Sequence, residues 1–114
     1  QDPLARMSLG SRTYRAMTQA VMTLAQRHCQ DRLVIVHEGG YSESVVPFCA
    51  HAVMETLSGI ATAVEDPFTD LFDAQAPGEA YECWQRGLID AQARALGLSP
   101  ELSGLLPVRA GAID

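Results

Sequence analysis

Five consecutive residues, His37-Glu38-Gly39-Gly40-Tyr41, hold the groups of this chain best suited to chemistry. A phenol directly after two glycines can stand clear of the backbone and donate a hydrogen bond to an oxygen on which negative charge develops. The glycines open a second route, since backbone N–H groups ahead of a helix can cradle a phosphate. Neither GxGxxG nor the Lys of a P-loop accompanies them, and tight turns use glycine routinely, so the phosphate reading is the weaker one. His37 and Glu38 suggest an acid–base pair or half a metal site. Neighbours on an extended chain point to opposite faces, however, and a supporting role is assigned to both. His28 and His51 lie in different segments without an HExxH or equivalent partner, so packing is the expected role of each. Tyr14, Tyr81 and Trp84 recur at helical core spacing and need no functional explanation.

The elements that must position these groups are legible in outline. Leu33-Val34-Ile35-Val36 is a continuous apolar, largely β-branched run, the pattern of a strand covered on both faces in a parallel sheet. Tyr41 then falls at the carboxyl end of the strand, where open α/β sheets bind ligands. Upstream, the spacing predicts a helix from the N-cap Ser11 to about residue 30, with Tyr14, Met17, Val21, Leu24 and His28 as its buried stripe. Downstream, Ser42-Glu43-Ser44 is expected to cap a helix with Pro47 in its first turn. Its buried stripe would be Val46, Cys49, Val53 and Leu57, with Gly59 closing it. Residues 60–77, with Asp66-Pro67 and Pro77, read as a long and partly ordered connection. A further helix is predicted from Gly78 to Leu96, with Tyr81, Trp84, Leu88, Ala91 and Ala95 on one face and Gly97 ending it. Ser99-Pro100-Glu101 would begin one more short helical turn.

Length and composition limit what such a chain can be. Its 114 residues allow one small core, and a hydrophobic fraction of 47% argues for a folded chain. One strand cannot satisfy its own backbone groups, so 1–114 is expected to be part of a larger domain rather than a complete independent one. All eight basic residues are Arg and the net charge is −6, which leaves no basic stripe for nucleic acid. No apolar run approaches the roughly 18 residues that cross a bilayer, so no membrane partner is expected. Cys29, Cys49 and Cys83 are too scattered for a disulfide framework, and a reducing, cytoplasmic setting fits them best.

The segment HEGGYSESVVPFCAHAVMETLSG resembles the histone deacetylase superfamily, in particular its bacterial histone-deacetylase-like and acetylpolyamine amidohydrolase members of class II type. Glu38-Gly39-Gly40-Tyr41, Pro47-Phe48-Cys49 and Leu57-Ser58-Gly59 carry the resemblance, and Asp2-Pro3-Leu4 with Arg6-Met7 is similar to the stretch after the family's zinc-binding aspartate. The match runs in register over residues 1–66, and the tail to Asp114 fits the closing helices less specifically.

The resemblance implies an arginase–deacetylase α/β fold, of which this chain is the C-terminal part: helix, strand, loop and helix, plus C-terminal helices. It implies a zinc-dependent amidohydrolase that converts an acetylated amine to acetate and amine. Tyr41 takes the place of the family's transition-state tyrosine, Gly39 and Gly40 that of the thin channel wall, and Leu4 that of a channel-lining residue. The family's Asp-x-His pair, later Asp and tandem histidines have no counterpart here. Zinc is therefore expected in the full-length enzyme and not in this chain alone, which is expected to be inactive. Its principal partner would be the missing N-terminal part of the same domain, and exposed apolar surface makes homo-oligomers an expected alternative. The competing reading is a non-catalytic structural or interaction module that keeps part of the fold.

Overall fold

The computed structural model describes Leu4 and residues 7–98. They form α1 (Ser11–Cys29), α2 (Val46–Ser58), α3 (Thr69–Ala74) and α4 (Glu79–Ala95). The chain divides into two compact units, Gln1–Gln75 and Ala76–Asp114. The predicted turn at Ser99-Pro100-Glu101 lies outside the described residues.

In the first unit α1 packs against α2, and small side chains make the contact. Ser11, Thr18 and Ala25 of α1 are buried, spaced seven apart along one edge of the helix; Cys49, Ala52 and Glu55 of α2 and the preceding Val45 complete the set. This corrects the predicted stripe of α1: Tyr14, Met17, Val21 and Leu24 are all exposed. Helix packing uses an edge beside the apolar stripe, because small residues let the two backbones approach. The α2 stripe is shifted in the same way. Cys49 is buried as expected, Val46 and Val53 are half-buried, and Leu57 is exposed.

The helix ends follow physical rules with some substitutions of part. The N-cap of α1 is Gly10, not Ser11, and it makes no side-chain cap. A Cβ on Gly10 would lie 2.9 Å from Phe72 Cδ2, so the ring of Phe72 occupies the space where a capping side chain would stand. Asp66, in the loop before α3, accepts from the Ser11 hydroxyl at 2.5 Å and from the Phe68 backbone N–H at 2.9 Å, and so ties the first residue of α1 to the start of α3. The capping expected of Ser42-Glu43-Ser44 is not made; the N-cap of α2 is Val45, with no side-chain bond. Pro47 does sit in the first turn of α2, and Gly59 closes it at φ +68° with its N–H on the Glu55 carbonyl. Gly97, at φ +65°, follows α4 as expected.

Residues 60–77 are more ordered than predicted, because they contain α3 and an aromatic ladder. Phe48 of α2 meets Phe68 edge-on at 6.0 Å, and Phe68 stacks on Phe72 of α3 at 6.3 Å. In the second unit no residue of α4 is buried: Tyr81, Trp84 and Leu88 are exposed, with Tyr81 and Trp84 tilted together at 5.5 Å.

The predicted strand is not formed, and no strand occurs among the described residues. Val34 is 86% and Val36 71% exposed. The reason is the one that marks parallel strands generally: a segment of this kind gains its ladder bonds only from neighbours, and none is present in the described chain.

One buried carboxylate ties the first unit together. Glu55 Oε2 accepts from Arg15 Nη2 of α1 at 2.5 Å, while Oε1 accepts from the Thr62 hydroxyl at 2.7 Å and the Thr62 N–H at 2.6 Å. Arg15 first, then the Thr62 hydroxyl and N–H, pull the Glu55 carboxyl from its usual 4.5 down to about 2. The folded protein thus binds this proton less readily than the unfolded chain does. The stabilisation is complete above pH 4.5 and is lost as the pH falls toward 2. Glu55→Gln should lower stability at neutral pH and flatten its decline between those two values, as read from urea unfolding midpoints across a pH series.

Candidate functional site

The turn between residue 36 and α2 is built on two consecutive left-handed glycines, Gly39 at φ +68° and Gly40 at φ +93°. Residues with a Cβ rarely adopt either value, so the turn needs glycine at both positions. Beyond it the chain enters α2 through backbone bonds from Val45 and Val46 N–H to the Ser42 carbonyl, each 3.0 Å. Tyr41 is left 60% exposed on the outside of the turn. Its ring returns toward the first glycine: a Cβ on Gly39 would lie 3.4 Å from Tyr41 Cε2 and 3.7 Å from the hydroxyl oxygen.

Gly39, Gly40 and Tyr41 therefore form one compact feature. Leu4 occupies a turn and is 69% exposed. Asp2, Pro3 and Arg6, which carry part of the resemblance, lie outside the described residues. His37 belongs to the same feature as the glycines, whereas His28 is exposed on α1 and His51 is held on α2.

A second polar region was not singled out from sequence. An open cleft of about 240 Å³ lies beside the start of α1, lined by Ser11, Arg15, His51 and Asp66 among others. Its charged groups are engaged, two of them with carboxylates outside the lining: Arg12 with Asp73 at 2.6 Å, Arg15 with Glu55, and Asp66 with Ser11. His51 Nε2 lies 3.2 Å from the Thr62 hydroxyl, and its Nδ1 is 3.9 Å from Glu55 Oε2. The arrangement joins segments and presents no unpaired reactive group. The signal for it was available in MET at 54–56, an acidic residue three positions after Ala52 on the face that Cys49 begins. Cys49 itself is no candidate nucleophile, since burial pushes its thiol upward.

No group of three or more His, Cys, Asp or Glu able to hold a metal ion occurs among the described residues. His51 and Glu55, the nearest approach to such a group, make only a pair, and both oxygens of Glu55 already accept from Arg15 and Thr62. The described residues do not fit a zinc site.

Comparison with known proteins bears on this geometry. The histone deacetylase domain family matches residues 1–57, which include α1, the glycine turn and nearly all of α2. The chain belongs to the histone deacetylase domain family. It is 52% identical over 99 residues to a histone deacetylase-like amidohydrolase of Pseudomonas aeruginosa, a match that covers 87% of this chain and 26% of that protein. A probable deacetylase of Archaeoglobus fulgidus is 34% identical over 68 residues, 58% of this chain and 19% of the relative. Histone deacetylase 8 of Arabidopsis thaliana is 39% identical over 54 residues, 47% and 14% respectively. The chain thus spans about a quarter or less of the length of these curated relatives. Membership supports the arginase–deacetylase fold and a hydrolytic enzyme family. No helix among the described residues is long and apolar enough to cross a membrane.

The two glycines should differ in tolerance. Gly39→Ala meets only ordinary contacts and a left-handed φ, a cost of about 1–2 kcal/mol. Gly40→Ala adds a Cβ 2.9 Å from His37 and 3.0 Å from Val46 at a φ outside the left-handed helical well, so its cost should be larger by about 1 kcal/mol. Denaturant unfolding of the two variants against the parent checks the order.

Proposed function

We propose that this chain is the C-terminal portion of a deacetylase that hydrolyses acetyl-amides, of acetyl-lysine or acetylpolyamine type, to acetate and a free amine. In the reaction water adds to the amide carbonyl, the carbon–nitrogen bond breaks, and the amine leaves with a proton. Tyr41 donates its hydroxyl hydrogen to the carbonyl oxygen as negative charge builds there. Gly39 and Gly40 form the wall along which the acyl group approaches, and Leu4 lines the same channel. The observation that carries this reading is the exposed Tyr41 on a double-glycine turn within the family's matched segment. Its finer part is a zinc-dependent enzyme whose metal ligands are supplied by the N-terminal part of the same domain.

The parallel sheet belongs to the same proposal. Residues 33–36 become a strand when the N-terminal part of the domain lies beside them, and the exposure of Val34, Ile35 and Val36 supports this. Backbone amides of 34–36 should exchange with solvent rapidly in the isolated chain and slowly in the full-length protein. Equal, fast exchange in both would remove the sheet from the proposal.

Tyr41→Phe in the full-length enzyme should lower kcat by about a hundredfold or more, the usual scale for losing one oxyanion donor. KM should change much less, because the bond strengthens only as charge develops. Turnover of an acetyl-lysine peptide and of an acetylpolyamine measures both parameters, and parent-like kcat on each would overturn the assignment.

A further inference from the structure

Gly40 is enclosed by two side chains from opposite ends of the turn. An ideal Cβ at this position would stand 2.9 Å from His37 Nε2, 3.0 Å from Val46 Cγ2 and 3.3 Å from Val46 Cγ1. The imidazole, three residues earlier, folds back across the turn, and the branched side chain of the first residue of α2 meets the same glycine. A glycine at φ +93° has no side chain of its own to hold that conformation, so neighbouring groups must limit its freedom.

We propose that His37 is a positioning residue for deacetylation: its ring, together with Val46, braces Gly40 and thereby fixes where the Tyr41 hydroxyl stands. This rests on the reading of Tyr41 as the hydrogen-bond donor to the substrate carbonyl. The contribution of His37 is the shape of a planar ring against an α-carbon; it transfers no proton and holds no metal. His37 is itself exposed, so a ring without nitrogen can occupy the same place.

The test uses the full-length enzyme and an acetyl-lysine peptide, with kcat and KM measured separately for His37→Ala, His37→Phe, Val46→Ala, Tyr41→Phe and the His37→Ala/Tyr41→Phe double variant. A displaced donor costs turnover more than binding, so His37→Ala should lower kcat about ten- to a hundredfold with little change in KM. His37→Phe, which keeps the ring, should stay within about threefold of the parent. Val46→Ala removes the other half of the brace and should repeat the kcat loss, an independent reading should His37→Ala fail to fold. In the Tyr41→Phe background His37→Ala should cost almost nothing further, because the group it positions is gone. Losses that multiply in the double variant overturn the proposal, as does a His37→Phe enzyme as impaired as His37→Ala, which would assign the work to the ring nitrogens. Parent-like turnover of Tyr41→Phe alone overturns the underlying tyrosine reading, and it is recognised without any change at His37.

Discussion

A buried carboxylate governs how the first unit is held. The apolar residues buried among those described are Ala25, Val45, Cys49 and Ala52, and no large side chain is fully buried. Such a thin core contributes little from the hydrophobic effect, which scales with the apolar area removed from water. Glu55 sits in the middle of it with its side chain 7% exposed, and an ionised group there is tolerable only if its oxygens are satisfied. Arg15 and Thr62 satisfy them from two different segments, so the same contacts that solve the desolvation problem also fix α1 and the 60–66 loop on α2. Removing one donor would leave part of a charge unpaired, which is why this junction constrains geometry more tightly than its contact area suggests.

That constraint reaches the candidate site through α2. Glu55 anchors the last turn of the helix and Val46 is its first residue, so a helix held at one end presents Val46 to Gly40 at the other. The glycine turn is therefore supported by a rigid element on its C-terminal side. On its N-terminal side residues 33–36 have no ladder among the described residues, so the support of the turn is one-sided there.

Sequence pattern yields α1, α2 and α4 and the glycines after α2 and α4, because local signals decide them: Pro47 in a first turn, Gly59 and Gly97 just past the ends; α3, inside the stretch read as a connection, is not among them. It misjudged which faces are buried. The apolar stripe of α1 at Tyr14, Met17, Val21 and Leu24 has the right period, yet helix–helix contact in this chain follows Ser11, Thr18 and Ala25, whose advantage is size rather than hydrophobicity. Long-range bonds were illegible for a different reason. Nothing local announces that Asp66 accepts from the Ser11 hydroxyl, 55 positions away, or that Arg15 reaches Glu55 across 40. The glycine turn was legible because both its residues and its conformational demand are local, whereas the strand expected before it is not formed, since a strand depends on neighbours that a local pattern does not supply.

The extent of the matches divides the chain in a way the contacts explain. The deacetylase domain match ends at residue 57, one short of the end of α2, so it contains Arg15 and Glu55 but not Thr62, Asp66 or α3. A match of 99 residues to the Pseudomonas aeruginosa amidohydrolase cannot fit within the 78 residues before α4, so that relative shares the later segment as well. Within the first unit, residues 62–72 dock on groups that the family portion offers: Glu55 Oε1 for Thr62, the Ser11 hydroxyl for Asp66, Phe48 for Phe68 and the bare α-carbon of Gly10 for Phe72. Between these contacts the segment carries its own order, with α3, the Phe68–Phe72 stack and the Arg12–Asp73 pair. The last contact makes Gly10 a docking position, where a Cβ would stand 2.9 Å from Phe72 Cδ2 and the ring would have to shift to make room.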